Sequence, residues 1–373
     1  MTVEQYFRPT KAVIDLEAIR QNVRHLQAHI EPNVRIIAVV KANAYGHGDV
    51  QVAGAALEAG ATMLAVATAD EALHIRKHYP HVDILVLGAT PVHFAPYAAA
   101  ARITLTVFST EWVEDAAQYI GDATNSLSLH IKVDSGMGRI GVRTLAELQD
   151  VERAINAQPN MKIDGIFTHF ATADEEDTSL FTKQVEKFSA FVQALSQKPA
   201  CVHACNTAAA LIKQKELQFD AVRYGISLYG LAPSGYVASI EPFALKPALS
   251  LQTELVHVKQ IEAGESVGYG ATFVAEQPCW IGTLPIGYAD GMIRKLGGQH
   301  VLIDGQRMPL VGRICMDQCM VLLPKKYSVG EPVQLIGEQG TERITLDEWA
   351  AKLQTINYEV PCNFTNRIPR FYK

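Results

Sequence analysis

A lysine at the end of an apolar run is the first residue in this sequence with the character of a catalytic group. Lys41 follows a strand-like run within VVKANAYGHG. Burial at such a position lowers the pKa of an ammonium group and suits a lysine that forms an imine. The alternative is a lysine whose stem packs while its ammonium reaches solvent. Tyr45, Gly46 and Gly48 follow at once and suit a turn that contacts phosphate.

A second group of polar residues lies in KVDSGMGRIG. Lys132 and Asp134 alternate along one predicted strand and therefore share a face, and Arg139 lies just beyond them. A guanidinium at this point can hold a carboxylate with two parallel hydrogen bonds, and a surface ion pair is the alternative. His169 ends the next predicted strand. A histidine at this position is either a catalytic group or a packed core residue.

Two later segments have the features of a phosphate site. Asn206 and Thr207 follow one apolar strand and open a helix, and Arg223 precedes Gly225 and Ile226 on the next. Backbone N–H groups and helix N-termini bind phosphate at such positions. The last third of the chain adds five polar or sulfur-containing residues in short motifs, and each of its tyrosines alone is typical of packing. They are Tyr269, Tyr288, Met316, Asp317 and Tyr358.

The cysteines and nearby histidines do not form a metal-binding pattern. Cys201, His203 and Cys205 alternate in one apolar run, which predicts three side chains on one strand face. No second pair at metal spacing follows, and Cys315 and Cys319 have no histidine nearby. We therefore expect packed residues and no metal.

The elements that must position these residues alternate between strand and helix signals. Eight short β-branched segments occur between residues 34 and 230, separated by helical patterns. This order is typical of a (β/α)8 barrel, with an open doubly wound sheet as the alternative. Beyond about residue 240, strands separated by short turns predict a mainly antiparallel β domain. We expect a TIM-type barrel over residues 1–238 and a β domain over residues 239–373. The predicted barrel strands are 34–42, 63–68, 83–88, 103–108, 127–134, 162–170, 200–206 and 221–230.

Composition narrows the class of protein. The 373 residues carry a formal net charge of −6, which argues against a surface dedicated to nucleic acid or anionic membrane. No apolar run is long enough to span a bilayer, and the first residues lack the pattern of a signal peptide. We therefore expect a cytoplasmic protein with six reduced cysteines.

Six motifs together resemble the alanine racemase family, occur in that family's order and cover essentially the whole chain. They are VVKANAYGHG, KVDSGMGRIG, VRYGISLYGLAPS, VGYGATF, IGYADG and GRICMDQ. The resemblance implies a barrel, a C-terminal β domain and a head-to-tail homodimer with shared active sites. It implies pyridoxal 5'-phosphate as cofactor, a small amino acid as substrate, and a supply of D-alanine for peptidoglycan.

The resemblance also implies a role for each candidate residue. Lys41 is then the Schiff-base lysine and one catalytic base, and Tyr269 of the other subunit is the second base. Arg223 faces the pyridine nitrogen, and His169 links Arg223 to Tyr269. The phosphate contacts are Tyr45, Asn206, Thr207, Gly225, Ile226 and Tyr358. Arg139 and the Met316 backbone hold the substrate carboxylate, Lys132 matches a position that is often carbamylated, and Asp317 and Tyr288 support the site.

Two other functions remain open at this point. An amino-acid decarboxylase can share the fold and cofactor, but it pairs the pyridine nitrogen with a carboxylate where this chain has Arg223. A pyridoxal-phosphate carrier built on the barrel alone does not account for the large second domain.

Overall fold

The computed structural model describes residues 6–121 and 125–373, and these fold into two compact units. The barrel unit comprises Glu17–Ala44 and Asp49–Pro247. The β unit comprises the described residues up to Leu16, then Tyr45–Gly48 and Ala248–Lys373.

Eight parallel strands form the barrel unit, which confirms the predicted architecture. The first seven strands pair in chain order, and the first also pairs with the eighth. The N–H groups of Asp220 and Arg223 donate to the carbonyls of Val202 and Cys205, so the seventh and eighth strands are also joined. The strands are Arg35–Val39, Met63–Val66, Asp83–Val86, Ile103–Val107, Leu127–Lys132, Met161–Phe167, Cys201–His203 and Ala221–Tyr224.

Helices connect these strands, and their first residues explain where they begin. Thr68 and Thr144 each accept a hydrogen bond from the backbone of a glutamate three residues on, and that glutamate bonds back to the threonine N–H. The α-helices of this unit are Leu16–His29, Asp49–Glu58, Ala69–His78, Ala95–Ala101, Thr110–Ile120, Leu145–Asn156, Ser179–Ala194, Thr207–Ile212 and Gly235–Ile240. Leu16 itself groups with the β unit.

The barrel interior is polar toward the carboxyl ends of several strands. Branched aliphatic residues usually fill such an interior, and Ile37, on the same sheet face as Arg223, does so here. His130, Lys132, His203 and Arg223 are nevertheless buried on the fifth, seventh and eighth strands. Because burying polar groups is costly unless they are hydrogen-bonded, this layer marks the end of the barrel where a function is expected.

Asn22 fixes the chain beyond the eighth strand to the first helix. Its side-chain amide donates to the carbonyls of Leu228 and Lys246 at 3.1 and 2.9 Å, and its oxygen accepts from the Lys246 N–H at 2.9 Å. Asn22 is completely buried, so these three bonds satisfy backbone groups that water does not reach.

The β unit is mainly antiparallel and includes the beginning of the chain. Lys11–Ile14 pairs with Leu249–Glu254 antiparallel and with Arg370–Tyr372 in parallel. The expected division at residues 238 and 239 therefore requires correction, because these backbone pairs place the first strand in the β unit and the barrel unit extends to Pro247. The remaining strands are His257–Ile261, Ser266–Val267, Phe273–Val274, Cys279–Leu284, His300–Ile303, Gln306–Val311, Cys319–Leu323, Pro332–Gln339 and Glu342–Ile344, with helices Leu346–Leu353 and Glu359–Cys362.

Among the described residues, no helix has both the length and the apolar character needed to cross a membrane.

Candidate functional site

Lys41 begins a left-handed turn directly after the first barrel strand. Ala42, Asn43, Ala44 and Tyr45 all have φ between 51° and 53°. Consecutive left-handed residues other than glycine are rare, because each costs roughly 1–2 kcal/mol. The Ala44 N–H donates to Val40 O at 2.9 Å, and the Ala42 N–H donates to Glu71 Oε1 at 2.7 Å. These hydrogen bonds to neighbouring elements offset the strain of the turn, and the turn fixes the position of the half-buried Lys41.

Four cations lie around His169 at the carboxyl ends of the barrel strands, which we call the barrel mouth. Burial first, and then the charges of Arg223, Arg139, Lys132 and Lys41, lower the pKa of His169 well below its usual value. The barrel unit therefore brings together the five residues that the sequence predicts from four separate strand ends. Such a concentration of positive charge suits a ligand that carries more than one anionic group.

Arg223 lies at the centre of the hydrogen bonds in the barrel mouth. Its side chain is 3% exposed, and its terminal nitrogens donate to the carbonyls of Thr168, His203 and Ala204. Burial lowers the pKa of Arg223 only to about 10, so the guanidinium remains charged at neutral pH. The carbonyls therefore surround a permanent cation that can only donate hydrogen bonds.

The guanidinium of Arg223 fixes the tautomers of three histidines. Arg223 Nη1 lies 2.9 Å from His203 Nδ1, and Nη2 lies 3.3 Å from His169 Nδ1. Both ring nitrogens must accept, so each of these neutral histidines carries its proton on Nε2. His203 Nε2 then donates to His130 Nδ1 at 3.0 Å, which leaves the His130 proton on Nε2 as well. Burial lowers the pKa of His130 to about 4 and that of His203 well below its usual value, and both rings stay neutral.

The Arg223 side chain fits a heteroaromatic nitrogen that accepts a hydrogen bond. Within the described part of the chain, its five polar contacts all involve Nη1 and Nη2. The remaining donor is the Nε–H. A pyridine nitrogen is an acceptor of the kind that this donor requires, so this residue fits the predicted cofactor.

Lys132 is a buried lysine with an unusually low pKa. Burial, followed by the charges of Arg223 and Arg139, lowers the pKa of Lys132 to about 7. Its Nζ donates to Val133 O at 2.7 Å and lies over the Phe167 ring, 5.3 Å from the centroid. A substantial fraction of this side chain is therefore an unprotonated amine near neutral pH.

The predicted phosphate residues of the barrel unit lie on two linked loops. Thr207 begins a short helix whose N-cap is Asn206, and the Asn206 side-chain oxygen accepts from the Ala209 N–H at 3.0 Å. The Gly225 N–H donates to the Thr207 hydroxyl oxygen at 2.8 Å, which joins the loops after the seventh and eighth strands. Because that hydroxyl accepts from Gly225, its own proton remains available to an anion. Ile226 is buried and begins the next helical turn.

The β unit places two further phosphate candidates side by side. The rings of Tyr45 and Tyr358 have centroids 6.1 Å apart. Burial, with a smaller contribution from Cys362, raises the pKa of Tyr45, so its phenol keeps the proton that it would donate. A Cβ at Gly46 would lie 2.0 Å from Pro361 O. Glycine is therefore required where this segment passes the one that carries Tyr358.

The β unit also carries the candidates from the last third of the chain on exposed turns. Tyr269, 71% exposed, lies on a turn between the short strands Ser266–Val267 and Phe273–Val274. The Tyr288 N–H donates to Cys315 O at 3.0 Å and the Ala289 N–H donates to Met316 O at 3.0 Å. The peptide joining Cys315 to Met316 is trans, so the Met316 N–H points away from Tyr288 and suits an external acceptor.

Sequence reasoning missed His130 and treated His203 only as a packed strand residue or a metal ligand. The structure places ligand atoms of His130, Cys201 and His203 within 4.8 Å of one another. Cys205 is not in this group, because the strand ends at His203 and the Cys205 thiol donates to Leu217 O. The predicted shared face of three residues is therefore wrong for Cys205. The facing histidine nitrogens are occupied by their mutual hydrogen bond.

One signal in the sequence could have identified His130. Glycine inside a strand often marks a close approach of another group, and Gly165 lies inside the strand Met161–Phe167. A Cβ at Gly165 would lie 2.6 Å from His130 Nε2. The space for this histidine ring is thus provided by the absence of a side chain on the neighbouring strand.

Comparison with known proteins agrees with this arrangement. Residues 14–233 match the alanine racemase N-terminal domain, and residues 248–372 match the alanine racemase C-terminal domain. The alanine racemase of Anoxybacillus flavithermus is 50% identical over 369 residues, which cover 98% of this chain and 95% of that protein. The crystal structure of alanine racemase from E. faecalis superposes with a TM-score of 0.96 at 44% identity, and the alignment covers both chains completely.

A histidine racemase from Leuconostoc mesenteroides subsp. sake has the same fold at lower identity. It has a TM-score of 0.93 and is 31% identical, and the alignment covers 99% of each chain. The fold and the arrangement of the site define a barrel-type amino-acid racemase architecture. The chain belongs to the alanine racemase family.

The left-handed turn after Lys41 predicts an unusual response to glycine. Ala42 is exposed, so Ala42→Gly removes backbone strain with little loss of packing. We expect the free energy of unfolding to rise by about 1 kcal/mol. The control Ala190→Gly, at an exposed position of the helix Ser179–Ala194, should lower it by about 1 kcal/mol. Urea denaturation of both variants measures the two effects. A loss of stability in Ala42→Gly would contradict the strained turn.

Proposed function

We propose that this protein is a pyridoxal-phosphate-dependent racemase that interconverts L- and D-alanine and supplies D-alanine for peptidoglycan. The observation that carries the proposal is the barrel mouth, where Lys41 lies among cations and Arg223 retains a donor suited to a pyridine nitrogen. When bound there, the cofactor ring delocalises the electron pair left after the Cα proton of the amino acid is removed.

The residues of this chain then have to hold the ligand and move one proton. The Thr207 hydroxyl and the Ile226 N–H at the Gly225 turn bind the phosphate, together with Asn206, Tyr45 and Tyr358. Arg139 and the Met316 N–H bind the substrate carboxylate. Lys41 removes or returns the proton on one face of the substrate, and Tyr269 does so on the other.

We assign His169 the role of supporting Tyr269 as a base. Arg223 keeps the His169 proton on Nε2, so this histidine is a donor toward any oxygen beyond it. A hydrogen bond donated to a phenolate oxygen favours the charged form that acts as a base. We therefore infer that Arg223 supports Tyr269 through His169.

Arg223 also distinguishes the racemase from a decarboxylase. A carboxylate beside the pyridine nitrogen would keep that nitrogen protonated and increase electron withdrawal by the ring. A guanidinium that donates to the nitrogen leaves it unprotonated, which disfavours side reactions such as transamination. Alanine is preferred over histidine as substrate because the alanine racemase of Anoxybacillus flavithermus is 50% identical and the histidine racemase only 31%.

The substrate and reaction are tested together in heavy water. Purified holoprotein incubated with L-alanine should form D-alanine that carries deuterium at Cα, since the proton returned to the opposite face comes from solvent. Chiral chromatography with mass spectrometry measures both products, and serine and histidine serve as comparison substrates. Release of ethylamine and carbon dioxide would instead identify a decarboxylase. A yellow protein without exchange would support a cofactor carrier.

We further propose that Lys132 is carbamylated. An unprotonated lysine amine attacks carbon dioxide to form an N–C bond and releases one proton, which leaves an anionic carbamate. With a pKa of about 7, Lys132 supplies the unprotonated amine. The product replaces a cation beside Arg139 and Arg223 with an anion, which removes repulsion and gives Arg139 an acceptor.

Carbon-13 NMR with labelled bicarbonate tests the carbamate directly. We expect one protein carbamate signal that disappears in Lys132→Ala. Lys187→Ala is the matched control, because Lys187 donates to Asp134 O nearby and should not affect the signal. A signal that persists in Lys132→Ala, or no signal in the wild type, would show that Arg139 is positioned without a carbamate.

The two bases are proposed to come from different subunits of a homodimer. Lys41 belongs to the barrel unit, whereas Tyr269 is highly exposed on the β unit. A flat cofactor requires bases on opposite faces, and a two-fold symmetric head-to-tail dimer forms two identical composite sites. The family resemblance supports the same arrangement.

Complementation between inactive variants tests the shared site. Lys41→Ala and Tyr269→Ala should each be nearly inactive. Refolded together at equal concentration, about half of the dimers should be mixed, each with one intact site, so about a quarter of wild-type activity should return. Mass spectrometry confirms that mixed dimers form. Activity that remains at the level of the parents in such dimers would place both bases in one subunit.

A further inference from the structure

Arg367 connects two exposed turns of the β unit, the one that ends at Asp290 and the one that carries Asp317. Asp290 follows Tyr288 and Ala289, and its side chain is completely buried. Its carboxylate accepts from Arg8 Nη1 at 2.8 Å and from the Gly287 N–H at 3.0 Å. Arg367 Nε lies 3.3 Å from the same carboxylate. A carboxylate this deeply buried needs such partners, because an unpaired buried charge is costly.

The other end of the Arg367 guanidinium reaches the neighbouring turn. Arg367 Nη2 donates to Asp317 Oδ1 at 2.7 Å. Within the described residues, this is the one side-chain hydrogen bond of Asp317, which directly follows Met316. Arg367 therefore connects the buried Asp290 to the turn that exposes the Met316 N–H.

Hydrogen bonds from Thr365 hold the segment that carries Arg367 against the first of these turns. The Thr365 N–H donates to Asp290 O at 3.1 Å, and the Thr365 hydroxyl donates to Ala289 O at 3.1 Å. The C-terminal segment thus follows the Tyr288–Asp290 turn, and the arginine two residues later extends to Asp317. The Arg367 side chain is thus bonded both to the buried Asp290 and to the more exposed Asp317, so it restricts the motion of the exposed turn.

We propose that Arg367 is a positioning residue for substrate binding, which holds the Met316 N–H in the orientation that receives the substrate carboxylate. This inference rests on the proposed alanine racemase function. Arg367 acts through Asp317 and does not itself contact substrate. The carboxylate is bound throughout the reaction, so loss of the Arg367 contact weakens ground state and transition state alike and raises KM with little effect on kcat.

Arg367→Gln and Asp317→Asn are the test variants. Exposed ion pairs contribute up to about 1 kcal/mol, so each should raise KM for alanine about two- to fivefold and change kcat less than twofold. The double variant should be no worse than Arg367→Gln alone, because Asp317→Asn removes a contact that Arg367→Gln has already lost. Arg367→Lys keeps a cation but cannot bridge both carboxylates in the same way, and it should recover part of the affinity. The control is Arg343→Gln, which removes an exposed pair with Glu338 in the same unit and should leave KM unchanged.

Amide hydrogen exchange provides a readout that does not depend on catalysis. Backbone amides of residues 314–318 should exchange faster in Arg367→Gln and Asp317→Asn but not in Arg343→Gln. A wild-type protein that fails to racemise alanine would overturn the proposed function and, with it, the carboxylate role of this turn. An active wild type with unchanged KM and exchange in Arg367→Gln would overturn the positioning role alone. A fall in kcat at constant KM would also overturn it, because it would place Arg367 in the proton-transfer step.

Discussion

A single buried guanidinium determines most of the chemistry available at the barrel mouth. Arg223 cannot accept a hydrogen bond and does not lose its charge at neutral pH, so every group that hydrogen-bonds to it must be an acceptor. Backbone carbonyls and ring nitrogens meet this requirement. The proton positions of His169, His203 and His130 follow from this one constraint. His169 thereby becomes a donor toward the proposed second base, and His203 becomes a donor to His130 in the barrel interior.

The barrel and the β unit position their functional groups by different physical means. In the barrel, buried polar residues hold one another through hydrogen bonds, and burial keeps the histidines neutral beside several cations. In the β unit, the exposed turns depend on glycines that permit close backbone contact. A Cβ at Gly287, for example, would lie 2.4 Å from the carbonyl oxygens of Cys315 and Met316. The first arrangement sets charge and proton position, and the second sets the direction of backbone donors.

Much of the barrel could be predicted from sequence because its strands are short, apolar and buried on both sides. The residues at their carboxyl ends were identifiable for the same reason, since Lys41, Lys132 and His169 interrupt or end apolar runs. Three features were not predictable. Alanine gives no signal of a left-handed turn at Ala42 and Ala44. The four residues Lys11–Ile14 do not reveal their distant partner. Arg367 resembles any exposed arginine until its two carboxylate partners are located.

The pairing of the first strand has a consequence for synthesis on the ribosome. Lys11–Ile14 is translated before the barrel strands, whereas its partners Leu249–Glu254 and Arg370–Tyr372 are translated after them. All eight barrel strands are therefore complete while this segment still lacks both neighbours. An unpaired strand edge promotes aggregation, and domains generally fold as units during translation. The strand Lys11–Ile14 thus presents unpaired edges while the barrel strands are being made, and its sheet is completed only after Arg370–Tyr372 has been made.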